Sequence, residues 1–222
     1  MLARVVGAAI TILGSGSAGN CALLETPRVC LLIDAGLSGK QIALRLASIG
    51  RTLDDVDAVL LTHEHHDHAQ GLPVLCRRHR IPVFANRLTI EVLQEDMGHV
   101  PMAGLWKVFQ TGQAFELGDV IVETFPVPHD AQDPVGFLLR HENLNVGVLA
   151  DLGHVTRLIV ERLKRAHILL LETNHDVRML QEDPRRPWSL KQRILSRFGH
   201  LSNEAAAEAA TQIVHDDLRH IF

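Results

Sequence analysis

Cysteine is scarce in this chain: its 222 residues include three, Cys21, Cys30 and Cys76. The number is odd and no pair stands in a C-x-x-C spacing, which argues against a disulfide framework and against a structural zinc site built on cysteine. Free thiols of this kind are typical of a reducing compartment. We therefore expect a cytoplasmic protein.

Long apolar runs and a strong net charge are also absent. No stretch approaches the ~20 apolar residues that a membrane-spanning helix requires. The apolar segment 5–13 follows Arg4, but the turn at residues 14–17 fits a first strand better than a signal peptide. The formal net charge of −4 argues against a polybasic protein that binds nucleic acid or membranes, although it is compatible with a local basic patch.

Short apolar runs bounded by Gly, Asp or Pro predict the strands of an α/β protein. They cover residues 9–13, 29–33, 58–61, 82–85, 120–125, 136–139, 146–150 and 168–171. Helical patterns lie at residues 42–49, 88–97, 155–163 and 203–214, the last with Ser202 as its N-cap. Residues 181–188 form a surface excursion, but no repeat or linker divides the chain, so we expect a single domain over residues 1–222.

The heptapeptide T-H-E-H-H-D-H follows the predicted strand 58–61 and contains four potential metal ligands, His63, His65, Asp67 and His68. In an extended chain His63 and His65 point the same way and can bind one ion, and the turn that follows brings Asp67 and His68 toward a second. Two adjacent ions imply hydrolysis by a bridging hydroxide. The alternative is a histidine-rich surface loop in a chain with 14 histidines.

This segment carries the H-x-H-x-D-H signature, by which the chain resembles the metallo-β-lactamase-fold hydrolases. The resemblance implies an α/β fold arranged as a four-layer αββα sandwich, and a centre of two divalent metal ions in which Asp67 is also counted as catalytic. Imidazole and carboxylate ligands accept zinc, manganese or iron, and zinc is our first expectation.

Three further residues receive roles from the resemblance. His129 follows a predicted strand and the restricted turn 126–128, and it would complete a three-histidine site. Asp151 would be the carboxylate that bridges both ions. Asp34, at the end of a buried strand, would hold the metal-binding loop in register. Without the family, a surface histidine and two plain turn aspartates would be the alternatives.

The resemblance implies one more histidine ligand, after a strand near the carboxyl end. His200 instead precedes a helix, and His220 would begin the last strand rather than follow it. We therefore expect that the chain stops before the final ligand and that the fold lacks its C-terminal end. The competing interpretation makes His200 that ligand.

Glu172 and His200 are predicted to form an acid pair. In the related tRNA 3′-processing nucleases a Glu at the corresponding position is paired with a histidine before a helix, and G-H-L-S at residues 199–202 resembles that motif. A carboxylate beside an imidazole favours the protonated ring, which can then donate its proton to a leaving oxygen. His175 is expected only to cap or line the loop.

Three further motifs are similar to the YycJ (WalJ) branch of the family: S-G-S-A-G-N at 15–20, L-E-T-N-H-D at 171–176 and G-H-L-S-N-E at 199–204. The resemblance covers nearly the whole chain and implies a DNA exonuclease that acts from the 5′ end. A phosphodiester suits the chemistry, since cations neutralise phosphate oxygens, the metal-bridging hydroxide attacks phosphorus and an acid protonates the leaving oxygen.

Nucleic-acid contacts are expected from a basic run between residues 184 and 199 that contains no acidic residue. Its cations can bind phosphates and its tryptophan can stack on a base, although a solvated helix face would show the same pattern. The candidates are Arg185, Arg186, Trp188, Lys191, Arg193 and Arg197.

Two other functions stay open. One is a small-molecule hydrolase, either a glyoxalase II-like thioesterase or a β-lactamase, although Asp151 and the absence of a signal peptide count against a lactamase. The other is an inactive, metal-stabilised binding module, which a missing final ligand would explain. No membrane partner is expected.

Overall fold

The computed structural model describes residues 2–5, 7–96 and 104–222, and it divides into two compact units. The first unit extends to Val122 and includes Ala131–Asp133. The second consists of Glu123–Asp130 and Pro134–Phe222. The single domain expected from the sequence stays a prediction.

The first unit is built on a mixed sheet whose strands follow one another in chain order. They are β1 (Leu2–Val5), β2 (Ala8–Gly14), β3 (Cys21–Glu25), β4 (Cys30–Ile33), β5 (Ala58–Leu60), β6 (Val83–Asn86) and β7 (Trp106–Phe109). The strands from β1 to β4 pair antiparallel, and those from β4 to β7 pair parallel. Strands β4 and β5 have continuous apolar sequences, as is typical of strands buried on both faces.

Helices of the first unit lie in the connections between these strands. They are α1 (Gly39–Ala47), α2 (His66–Ala69), α3 (Leu72–His79) and α4 (Arg87–Asp96). The Ser38 side chain caps α1 by accepting a hydrogen bond from the Gln41 N–H, and the helix buries Ile42 and Leu46. These two side chains belong to the core of the unit, together with Leu23, Leu32, Val59, Leu72 and Leu75. Strand β8 (Ala114–Leu117) and the start of β9 (Val120–Pro126) complete the unit.

The second unit contains the rest of β9 and a sheet in the order β13, β12, β11, β10, β9. Its other strands are β10 (Val135–His141), β11 (Leu144–Leu149), β12 (Ile168–Leu171) and β13 (His220–Ile221). The β10–β11 hairpin is antiparallel, and β12 and β13 continue the sheet in parallel. The helices are α5 (Arg157–Leu163), α6 (Val177–Glu182), α7 (Trp188–Ile194) and α8 (Asn203–Ile213). The core includes Phe125, Leu138, Leu149, Ile159, Leu169 and Ile213.

All eight predicted strands are present, with ends within two residues of those expected. The helix predicted at residues 88–97 is α4, although Met97 lies outside the described residues. Ser202 caps α8 as expected, accepting a hydrogen bond from the Ala205 N–H. The predicted surface excursion at 181–188 is narrower than expected, because α6 continues to Glu182 and α7 begins at Trp188.

Among residues 2–5, 7–96 and 104–222, no helix combines the length and the apolar character needed to cross a membrane.

Candidate active site

The heptapeptide 62–68, which contains the predicted metal ligands, follows strand β5 and enters helix α2. His63 is buried, and its Nε2 lies 3.1 Å from Nδ1 of His65. His65 has extended backbone angles and immediately precedes α2, which begins at His66. The short extended segment therefore brings two imidazole nitrogens together, as the alternation of side chains predicted. The helix that follows carries Asp67 and His68, whose Oδ2 and Nε2 are 3.8 Å apart.

Asp34 organises this segment from the end of strand β4. Its carboxylate accepts hydrogen bonds from the backbone N–H of Thr62 at 2.8 Å and from the Thr62 hydroxyl at 3.0 Å. Its second oxygen lies 2.8 Å from Nδ1 of His68. An Nδ1–H that donates to a buried carboxylate leaves Nε2 of His68 as the metal-binding atom and fixes the ring orientation. Asp34 makes these contacts with a left-handed backbone, at φ 60°.

Asn20, the last residue of the S-G-S-A-G-N motif, also belongs to this site, although the motif did not indicate a role for it. Its side-chain Nδ2 lies 3.0 Å from Nε2 of His68 and 3.5 Å from Oδ2 of Asp67. Its backbone N–H donates to the carbonyl of Asp67, and its own carbonyl accepts from the N–H of Gly36. Asn20 therefore braces both the backbone and the side chains of the metal-ligand helix.

Gly36 allows the backbone behind Asp34 to approach that helix. A Cβ at this position would lie 1.5 Å from the carbonyl oxygen of Asp67 and 2.6 Å from the nitrogen of Asn20. No side chain fits there, because both atoms belong to backbone. The sequence shows this glycine as D-A-G after a predicted strand, a pattern that by itself indicates only a turn.

The second unit contributes a separate set of ligand candidates. His129 is buried, and its Nδ1 lies 2.9 Å from the carbonyl of Gly199, which makes Nδ1 the donor and Nε2 the potential metal-binding atom. Nε2 of His129 lies 3.6 Å from Oδ2 of Asp151 and 3.4 Å from Oδ1 of Asp130. Asp151 follows the end of β11, as the sequence predicted, and is 9% exposed.

Glu172 and His200 meet in the same unit. Glu172 Oε1 lies 2.6 Å from His200 Nδ1, and Glu172 Oε2 accepts hydrogen bonds from the backbone N–H groups of Leu152 and Leu201. Burial and then the neighbouring carboxylate of Asp151 raise the pKa of Glu172, against the effect of its hydrogen bond to His200. Burial alone would lower the pKa of His200, but the hydrogen bond and charge of Glu172 outweigh it and raise that pKa. The hydrogen bond and the charge of Glu172 therefore favour the protonated form of the His200 ring.

The same geometry keeps the competing interpretation of His200 open. Asp151, Glu172 and His200 each offer a ligand atom, and these atoms lie within 4.8 Å of one another. His200 Nδ1 is 3.7 Å from Oδ2 of Asp151. A ring that gives Nδ1 to Glu172 still has Nε2 for a substrate oxygen or for an ion.

His175 follows Glu172 in the loop after β12. Its carbonyl accepts from the N–H of Asn203, and the segment pairs in parallel with Ser202. Within the described part of the chain, both of its buried ring nitrogens lack a hydrogen-bond partner. Burial, and after it the charge of His200, lowers the pKa of His175, so the ring stays neutral near pH 7. Its predicted role in capping or lining the loop stays a prediction.

Several cationic side chains of the basic run, residues 184–199, have carboxylate or carbonyl partners that the sequence of the run did not indicate. Arg185 and Arg186 lie 3.0 Å and 3.4 Å from the carboxylate of Asp183, just outside the run. Arg193 contacts the carboxylate of Asp130, with Nη2 3.1 Å from Oδ1. Lys191 is 7% exposed and its ammonium donates to the carbonyl of Gln181, so it is poorly placed for a phosphate. The candidates that remain exposed are Arg185, Arg186, Trp188, Arg193 and Arg197.

Comparison with known proteins identifies similar chains. Residues 30–218 match the family described as the Beta-lactamase superfamily domain. The chain is 38% identical over 217 residues to the exodeoxyribonuclease YycJ of Bacillus anthracis, covering 98% of this chain and 81% of that protein. It is 39% identical over 219 residues to the exodeoxyribonuclease WalJ of Streptococcus pneumoniae serotype 2, again covering 98% of this chain and 81% of the relative.

Solved structures share the fold at lower identity. The metallo-β-lactamase fold protein YhfI from Bacillus subtilis superposes with a TM-score of 0.72 at 19% identity, covering 97% of this chain and 95% of that chain. The short form of human tRNase Z gives 0.63 at 17% identity, covering 92% and 88%. These likenesses confirm the α/β class and the metallo-β-lactamase fold predicted from the sequence.

Proposed function

The chain belongs to the β-lactamase superfamily, and from this premise we propose that it is a dinuclear metal-dependent phosphodiester hydrolase that shortens DNA from its 5′ end. The observation that carries the proposal is the identity of 38% over 98% of the chain to a protein named as an exodeoxyribonuclease. A metal-dependent hydrolase is also what the histidine and aspartate groups of the two units support chemically.

The residues fit a divalent metal. The proposed ligands are His63, His65, Asp67, His68, His129 and Asp151. In two of the imidazoles Nδ1 is engaged by an oxygen of the protein, Asp34 for His68 and the Gly199 carbonyl for His129, which is the usual support of a metal-binding histidine. Nitrogen and carboxylate donors suit zinc, with manganese or iron as the alternatives.

When bound, the ions would supply positive charge for the phosphate oxygens and would lower the pKa of a water molecule, so that it loses a proton and provides the hydroxide that attacks phosphorus. The protein's own acid is the Glu172–His200 pair. Glu172 engages Nδ1 and holds the ring charged, so the Nε2–H of His200 is the proton available to the leaving oxygen. Once that proton has left, the imidazole is neutral and Glu172 remains ionised.

Substrate contacts outside the cleaved bond are proposed for Arg185, Arg186, Trp188, Arg193 and Arg197. Trp188 is 60% exposed at the start of α7 and offers a ring face to a base. The arginines offer phosphate contacts, weakened where an aspartate shares the guanidinium. The free state of Cys21, Cys30 and Cys76 supports action in the reducing cytoplasm.

The test is metal-dependent digestion of 5′-phosphorylated DNA, single- and double-stranded and labelled at the 3′ end, beside a matched RNA, a thioester and a β-lactam. Stepwise loss from the 5′ end supports the proposal. Turnover of only the thioester or the lactam would replace it with a small-molecule hydrolase, and no turnover of any substrate would favour a binding module.

Matched variants identify the site in the same assay. We expect His65→Ala to abolish digestion and to lower the metal content. His66→Ala is the control, because His66 is an exposed neighbour in the same segment and is not a proposed ligand. Equal activity of both variants would contradict the assignment of His65.

A further inference from the structure

A large aromatic side chain lies exposed two residues before the proposed acid in the chain. Phe198 is two residues before His200 and is 57% exposed. Leaving an aromatic ring in water forgoes the burial that stabilises most phenylalanines. The exposed ring of Phe198 is accessible to a ligand with an apolar, flat face.

The backbone around Phe198 is firmly held. The N–H of Gly199 donates to the carbonyl of Ser196 and that of His200 to the carbonyl of Ile194, both at 3.0 Å. A Cβ on Gly199 would lie 2.2 Å from the carbonyl oxygens of Arg193 and Ile194. The carbonyl of Gly199 also binds His129. One tight turn therefore contacts His129, a proposed metal ligand, and contains both His200 and the exposed Phe198.

Arg197 adds a cation next to this ring. Its carbonyl lies 2.9 Å from Nδ1 of His154, and its Nη2 lies 3.4 Å from Nε2 of the same imidazole. Within the described residues, the exposed guanidinium of Arg197 has no carboxylate partner, unlike those of Arg185, Arg186 and Arg193. It is therefore the exposed cation of the basic run whose charge is most available to a phosphate.

We propose that Phe198 stacks on the base of the nucleotide at the cleaved bond while Arg197 binds a phosphate of the same strand. This inference rests on the proposed nuclease function and gives it a substrate-positioning device. A single strand offers both kinds of contact, since its bases can stack on an aromatic ring and its phosphates can bind a guanidinium. Because every base has an aromatic face, stacking on Phe198 tolerates any nucleotide sequence. The base must first be unstacked from the neighbouring base.

The test uses two single-stranded oligonucleotides that differ at one position, with the 5′-terminal base present or replaced by an abasic residue. For the wild type we expect kcat/KM to be about tenfold or more higher with the base present, the size of a base–aromatic stack. In Phe198→Leu the ratio should fall close to one, whereas Phe198→Trp, which restores a ring, should keep it. A ratio in Phe198→Leu equal to that of the wild type would overturn the proposal.

Arg197→Ala should weaken binding of both oligonucleotides and reduce the slope of log Kd against log salt by about 0.7, the value for one phosphate on a single strand. An unchanged slope would remove Arg197 from the proposal. If the wild type digests the abasic oligonucleotide and His65→Ala does not, the nuclease function holds independently of the role proposed for Phe198. Failure of the wild type on both oligonucleotides would reject the nuclease function, and this inference with it.

Discussion

Glu172 Oε1 and His200 Nδ1 lie 2.6 Å apart, and the same carboxyl group accepts two backbone N–H bonds through its other oxygen. The carboxylate is thus held from both sides, and Oε1, which contacts the imidazole, also accepts a hydrogen bond from Nδ2 of Asn174 at 3.1 Å. The arrangement raises the pKa of His200 although the ring is partly buried. It makes the histidine an acid that stays protonated at higher pH than a free imidazole.

Replacing Glu172 with Gln should therefore move the alkaline limb of the pH–rate profile. His200 is protonated below its raised pKa, so the rate falls as pH rises through that value. Without the Glu172 carboxylate the pKa of His200 falls, and the reaction rate begins to decrease at a lower pH than in the wild type. Above neutral pH we expect a decrease of kcat of about 100-fold on DNA, shrinking toward acidic pH where both proteins hold the proton.

A p-nitrophenyl phosphodiester is the control substrate for this variant, because its leaving oxygen needs no proton. Glu172→Gln should lose much less activity on it than on DNA. Metal content should stay that of the wild type. An equal loss on both substrates with loss of a metal ion would instead make the Glu172–His200 pair part of a metal site.

Asp34→Asn should lower metal affinity by about 10- to 100-fold. Asparagine tolerates the left-handed backbone of Asp34, but its amide supports the Nδ1–H of His68 less well and carries no charge. Chelator competition measures the change. Glu142→Asn is the matched control, since Glu142 is also left-handed, at φ 48°, and exposed in the β10–β11 turn. Equal metal affinity in Asp34→Asn and the wild type would refute the supporting role of Asp34.

Gly36→Ala should destabilise the first unit by about 3 kcal/mol or more, because its Cβ would lie 1.5 Å from the Asp67 carbonyl. Gly50→Ala is the control: Gly50 has a positive φ of 76° and nothing within 4 Å of an added methyl group, so only backbone strain of about 1 kcal/mol is expected. Urea unfolding of the metal-free proteins compares the two. Similar losses of unfolding free energy in the two variants would show that helix α2 moves away from the added methyl group at little energetic cost.

The three thiols should react slowly with a disulfide reagent at pH 8. Burial, and after it the charge of Asp34, raises the pKa of Cys21, while burial raises the pKa of Cys30 and of Cys76 to about 12. Thiolate is the reactive form, so its fraction at pH 8 is very small. The colour released by Ellman's reagent should appear quickly only after denaturation. A fast-reacting thiol in the native protein would contradict the burial and the raised thiol pKa values described for these cysteines.

Much of the site could be predicted because its signals are local. His63 and His65 are two residues apart on an extended segment, and an apolar run announces the strand before them, so the alternation of side chains predicts their convergence. Asp151 and Glu172 likewise follow strands that their apolar sequences reveal. Helix α3 was missed, because its eight residues include a proline and end in a basic cluster.

The pairing of the basic run could not be predicted in the same way. Arg193 meets Asp130 across 63 residues of sequence, and Lys191 is held in a buried position by a hydrogen bond to a carbonyl ten residues earlier. Such partners depend on which loops the fold brings together. A run without acidic residues in the sequence is therefore not a run without acidic neighbours in space.

Short-range patterns in the amino-acid sequence predicted the α/β class, most strand positions and a candidate metal-ligand segment, because apolar and polar side chains alternate over short distances and the potential ligands cluster in one peptide. The packing of strands and loops was needed to show that Asn20 and Gly36 contact the backbone of Asp67 and that Arg193 of the basic run pairs with Asp130. These contacts join segments far apart in the chain, and their geometry arises from how strands and loops pack rather than from any local pattern.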